Sequence, residues 1–382
     1  MRLYIKIVFT ALLSFLVFAN EAYGQNPKKL DSILKASASV MYENPDRAIA
    51  IGKEIVGKAG SNTDVKIRAY KLISDGYSSK RDYEKSLEYV IKANQLLPQT
   101  SDELLKIGII TKTGIQYHQL KIYDKAIQSL DQAEELCLEY PVRDSVAVNL
   151  GITYLVRGFI YKEKLNCEIA ITFFDKGINE ILKTKDLLAN ASKLSIAKYN
   201  KGNCYILMSD TKAAIESFQE SVDYAKMVKA NSLQAFAQKG LAQVYTLEGK
   251  YKQAIDLLQE ALAISSNVND LVLNQEIYKG LSENSLALNH WDNYQEYRLK
   301  YLENQSKLKN RERKSVSDSL KEKENEEKSK LEGAVSRYLS GIVIIFFVLL
   351  LIVVFSALSI RRSKASIEKL QGVVKSLQNE NQ

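Results

Sequence analysis

Two histidines and three cysteines are the whole supply of imidazole and thiol chemistry in this 382-residue chain. His118 and His290 lie far apart, and neither has a cysteine or a carboxylate pattern beside it from which a triad or a metal site is built. No Gly-rich phosphate loop, paired-His helix motif or Cys-x-x-Cys occurs. Cys137, Cys167 and Cys204 read as small buried hydrophobes, with a Cys167–Cys204 bridge conceivable between adjacent segments. The chain is therefore expected to hold no catalytic residue, metal or cofactor and to work by binding.

The elements that position its side chains are helices. With 4 Pro and 17 Gly the chain is poor in the two residues that interrupt helices, which favours an all-α fold. Its 53 basic and 45 acidic residues are interspersed, so the net charge of +8 suits solvated helix faces rather than nucleic acid. A unit recurs through the middle: a small residue, Tyr three positions later, an aromatic six after that, then a small residue opening a second helix. Gly114, Tyr117, Tyr123 and Ala126 make one copy; Ala242, Tyr245, Gly249, Tyr251 and Ala254 make the clearest. The helix-opening residues Ala48, Ser86, Ala126, Ala170, Ala214 and Ala254 are spaced 38, 40, 44, 44 and 40 apart. A hairpin of two helices cannot bury its own apolar face, so such units must stack.

This pattern resembles the tetratricopeptide repeat, in six or seven copies over about residues 25–305. The resemblance implies a right-handed superhelical solenoid whose first helices line a concave groove for a peptide or protein segment. Reading one face of each first helix then selects Lys71 and Asp75, Thr111 and His118, Leu155, Phe159 and Lys162, Tyr199 and Asn203, and Lys239 and Gln243. Asn200 and Asn203 bracket a turn expected at Gly202. The resemblance suggests that these amides hydrogen-bond a peptide backbone, a task suited to a group that donates and accepts. Tyr199 stands where the chaperone-binding members place Lys in their carboxylate clamp, which argues against that ligand.

Two apolar runs set the expected address. Residues 1–24 read as a secretory signal, with Arg2 and Lys6, an apolar core from Ile7 to Phe18, and Ala22-Tyr23-Gly24 before the cut. Residues 339–360 are uncharged and long enough to span a bilayer. Five Lys or Arg occupy the 15 residues after this run against three in the 15 before it, placing the C-terminus in the cytoplasm and the repeats outside. In a bacterium the repeats are periplasmic and the anchor sits in the inner membrane.

Residues 306–338 form a charged helical stalk, and the surrounding topology removes a nucleic-acid reading of its basic run. In 361–382, Ile367, Leu370, Val374 and Leu377 fall at heptad a and d positions, which favours a parallel homodimer; a frayed tail on the membrane surface is the alternative. The order of parts resembles bacterial sensors, whose coil continues into a histidine kinase or helix-turn-helix domain that does not follow here. Two functions are thus open: a binding scaffold, or a regulatory receptor acting through a cytoplasmic partner.

Overall fold

The computed structural model describes residues 27–40, 44–265 and 270–379; the signal expected at 1–24 lies outside the described residues. Among the described residues the chain is all-α, with helices α1 (Pro27–Val40), α2 (Pro45–Lys58), α3 (Thr63–Ser79), α4 (Tyr83–Leu96), α5 (Glu103–Gln119), α6 (Tyr123–Glu139) and α7 (Arg143–Glu163). They continue as α8 (Cys167–Leu182), α9 (Leu187–Leu207), α10 (Thr211–Met227), α11 (Asn231–Leu247), α12 (Tyr251–Ser265), α13 (Leu271–Ala287) and α14 (Trp291–Asn379). The odd-numbered helices up to α13 are the first members of hairpins and the even-numbered ones the second. The chain divides into a unit ending at Lys309 and a second unit over Asn310–Gln382.

Each hairpin turn from α3 to α14 uses one device. Arg81, Lys121, Leu165, Ser209, Gly249 and Asn289 take positive φ, at intervals of 40, 44, 44, 40 and 40 residues. The amide after each donates five residues back, as Asp82 does to Tyr77 and Lys250 to Tyr245, which satisfies the carbonyls left open at the helix end. In three turns that same following residue caps the next helix. Asp82, Asn166 and Asp210 accept from the amides of Lys85, Ile169 and Ala213. One residue thus ends a helix and its successor begins the next.

Small residues at the crossing points set the helix spacing. Ala48, Ser86, Ala126, Ala170, Ala214 and Ala254 are all buried. Ser74 and Ser86 exchange a hydrogen bond of 2.9 Å at one crossing, as Ser195 and Ser221 do at 3.1 Å at another. Phe218 is fully buried on α10, wedged between Gly202 of α9 and Gly240 of α11. A Cβ on either glycine would meet its ring at 2.8 or 2.4 Å. Gly202 therefore sits inside α9 and makes a close approach, and the turn expected there does not exist.

Most first helices pack on the first helix of the next hairpin, whereas successive second helices touch little or not at all among the described residues. The inner side is thus a continuous wall, and the outer side carries clefts between second helices.

The second unit, in its described part, is the remainder of α14. Within it, Leu331–Gly372 is long and apolar enough to cross a membrane, with mean hydropathy 3.3 over its most apolar window. Apolar side chains along it, such as Ile345, Phe346 and Leu351, are more than half exposed. Ile367 and Leu370 of the expected heptads are exposed as well, while the side chains of Val374 and Leu377 lie outside the described residues.

Candidate functional site

The inner wall collects the positions expected to line a groove, and it links successive hairpins through them. On α3, the Lys71 ammonium donates to Asp75 at 2.7 Å, and Lys112 reaches the same carboxylate from α5 at 2.6 Å. Burial works to raise the Asp75 carboxyl, but Lys112 and Lys71 together hold it below the ordinary aspartate range. One hairpin further, His118 Nε2 lies 3.2 Å from Glu163 Oε1, and Tyr123 donates to the other oxygen of that carboxylate at 2.8 Å. Burial lowers the His118 pKa, and Glu163 only partly opposes it.

At the centre, Phe159 packs against Phe174 and His118 with ring centroids 5.5 and 6.0 Å apart. Lys162 donates to Asn200 Oδ1 at 2.5 Å, and Asn200 Nδ2 donates to the Ile196 carbonyl at 2.8 Å. Asn200 is 9% exposed. Its oxygen and one of its N–H groups are thus engaged within the array. Tyr199 packs on Phe218 and Phe236 at 5.8 and 6.0 Å, and the Lys239 ammonium stands 5.8 Å from the Tyr199 ring centre. Asn203 is half-buried, Gln243 is exposed, and neither side chain makes a hydrogen bond among the described residues.

The structure thereby sorts the positions read from the sequence. Asp75, His118, Lys162 and Asn200 are joined to neighbours across hairpins, and Lys71 to Asp75 on its own helix; Phe159 is half-buried, Tyr199 and Lys239 are half-buried beside each other, and Asn203 and Gln243 present unspent amides. Thr111 and Leu155 are buried at 3% and 4% exposure and do not line the surface. Lys112, Glu163 and Phe236 contact these positions and were not selected from the sequence. Lys112 could have been, because it precedes Asn200 by two 44-residue periods and occupies the same repeat position. Among the described residues no group of three His, Cys, Asp or Glu side chains is placed to hold a metal ion.

A family model described as tetratricopeptide repeat matches residues 193–267. Among solved structures, the chain is similar to a signal transduction ATPase with a tetratricopeptide repeat sensor from Pyrococcus horikoshii. The identity is 16%, the TM-score 0.53, and the match covers 67% of this chain and 38% of that one. It also matches aspartyl phosphate phosphatase F from Bacillus subtilis at 14% identity and TM-score 0.48, over 73% of this chain and 75% of that one. BtubC from P. vanneervenii matches at 14% and 0.47, over 61% and 92%. No curated protein sequence matches the chain. Small residues at the crossings, a left-handed residue in each hairpin turn from α3 to α14 and the match over 193–267 agree: residues 193–267 carry the tetratricopeptide repeat, and α1 to α13 form a helical-hairpin solenoid of that type.

Proposed function

We propose that this chain is a membrane-anchored, non-enzymatic binding protein that holds a peptide or protein segment against its inner wall. The observation that carries the reading is the centre of that wall. There Phe159, Tyr199 and Lys239 offer half-exposed rings and a cation beside the free amides of Asn203 and Gln243. Rings supply contact area at small entropic cost, and amides pair with either polarity of a peptide backbone.

In this reading the apolar run at 339–360 is the single membrane crossing. Arg361, Arg362 and Lys364 hold the C-terminus in the cytoplasm, and residues 25–305 work on the extracytoplasmic side, in the periplasm of a bacterial host. The crossing and the heptads after it would join two copies in parallel. The test is cross-linking capture from intact cells by the full chain, compared with an Asn203→Ala, Gln243→Ala variant of unchanged folding. Loss of a specific captured partner supports the reading; an identical set of captured proteins refutes the assignment of the wall. Protease added outside the cell should cut before Leu339, once the outer layers are permeabilised, and cleavage only after lysis of the inner membrane would overturn the topology.

A further inference from the structure

The outer side carries a cleft distinct from the inner wall. Between α10 and α12, over α11, lies a cleft of about 370 Å³. Its floor is apolar, made by Val222, Leu241 and Leu257, and Asp256 and Glu260 stand one helical turn apart on its edge. Neither carboxylate takes part in an ion pair or side-chain hydrogen bond among the described residues, and Lys226 on the opposite edge leaves the rim with a net negative charge. Gln238, 4% exposed, lines the cleft, and its buried Oε1 has no hydrogen-bond partner. A buried acceptor left open this way is costly and wants a donor.

The corresponding cleft between α6 and α8, of about 270 Å³, has one unpaired carboxylate, Asp144, beside paired neighbours. There Glu180 is paired with Lys183 at 2.6 Å, Arg143 donates to the Cys137 carbonyl at 3.1 Å, and no lining side chain holds an orphaned buried polar atom. A cleft between second helices thus recurs in the array, and the orphaned buried acceptor beside two unpaired carboxylates sets this one apart from the other.

We infer that the cleft between α10 and α12 binds a lysine or arginine side chain presented by a partner peptide. The aliphatic stem lies along Val222, Leu241 and Leu257, the charged head meets Asp256 and Glu260, and an N–H of the segment satisfies Gln238 Oε1. Long basic side chains divide in this way between an apolar body and a charged tip. An anionic ligand finds two carboxylates and an acceptor in its path, and a neutral apolar one leaves the acceptor unmet.

The probe is a fluorescein-labelled hexapeptide containing leucine and two lysines, titrated into the full chain in detergent by anisotropy. Its fully Nε-acetylated counterpart and a glutamate counterpart serve as controls. The lysine peptide binds, the controls do not, and Asp256→Asn with Glu260→Gln weakens it by about tenfold, the scale of one charge-assisted hydrogen bond. Gln238→Leu removes the orphaned acceptor, so it keeps the folded state at least as stable while weakening the peptide several-fold. Glu180→Gln in the cleft between α6 and α8 leaves the affinity as it was, which assigns the binding to this cleft rather than to its counterpart. Equal binding of the acetylated peptide, or affinity indifferent to both variants of the cleft between α10 and α12, overturns the inference.

Discussion

Phe218 is the place where two hairpins are held together by one ring, and its environment makes a sharp test of the packing argument. In Gly240→Ala the new Cβ meets ring carbon Cε1 at 2.4 Å, against the ~3.5–4.0 Å of an ordinary carbon contact. Gly202 crowds the same ring carbon, to which a Cβ there would stand 2.8 Å away, so the ring has little room to shift. Overpacking a filled core costs about 1–3 kcal/mol. Alanine returns up to ~1 kcal/mol through its higher helix propensity. With the full return, the net loss is about 0–2 kcal/mol. The control is Gly108→Ala on α5, where nothing lies within 4 Å, so only the propensity gain operates and the sign reverses. Phe218→Leu in the Gly240→Ala background makes room for the methyl, giving a coupling of about 1 kcal/mol in a double-mutant cycle. Urea midpoints of the full chain in detergent, followed by circular dichroism, report all four states. Gly240→Ala as stable as Gly108→Ala, or an additive cycle, refutes the idea that this ring sets the hairpin spacing.

Three further outcomes follow from the same geometry. Leu165→Gly should raise the unfolding midpoint, because Leu165 holds φ at 59° while 81% exposed; relief of that conformation exceeds the entropic cost of glycine by about 0.5–1 kcal/mol. Asp75→Asn should destabilise by about 2 kcal/mol at neutral pH, since Lys112 and Lys71 lose their shared carboxylate. The folded-state pKa of Asp75 is depressed, so its contribution is present above the ordinary value of 3.8 and lost as pH falls through the folded value. Unfolding titrations of wild type and variant should accordingly converge in acid; a constant gap would sink the ion-pair account. Asn200→Ala should lower stability by stranding Lys162, whereas Asn203→Ala should leave the melting curve unchanged, so melting curves of the two variants separate a structural amide from a free one.

The array was legible because its constraint is spacing. Helix crossings at Ala126, Ala170, Ala214 and Ala254 admit only small side chains, and that requirement repeats in the sequence with the period of the hairpin. The turns were legible in part. Gly249 announces a left-handed residue, but Arg81, Lys121, Leu165, Ser209 and Asn289 fill the same place without glycine, because the helix-ending hydrogen bonds compensate the strain. The inner wall was harder to read. Asn200 carries the residue type of a peptide-binding amide, yet its oxygen is spent on Lys162, a partner 38 residues away that no local pattern exposes. The outer cleft was invisible, since Gln238, Asp256 and Glu260 look like any solvated helix face until α10 and α12 are set on either side of α11.

The asymmetry between the two sides of the array has a mechanical side. Where first helices are in contact and second helices stand apart, the stiff line of the structure runs along the inner wall, and bending about it changes the width of the outer clefts first. A wedge seated between α10 and α12 would fix the local curvature and, with it, the spacing of Tyr199, Asn203 and Lys239 on the opposite side. Occupancy behind the array would then be felt in front of it, through geometry alone.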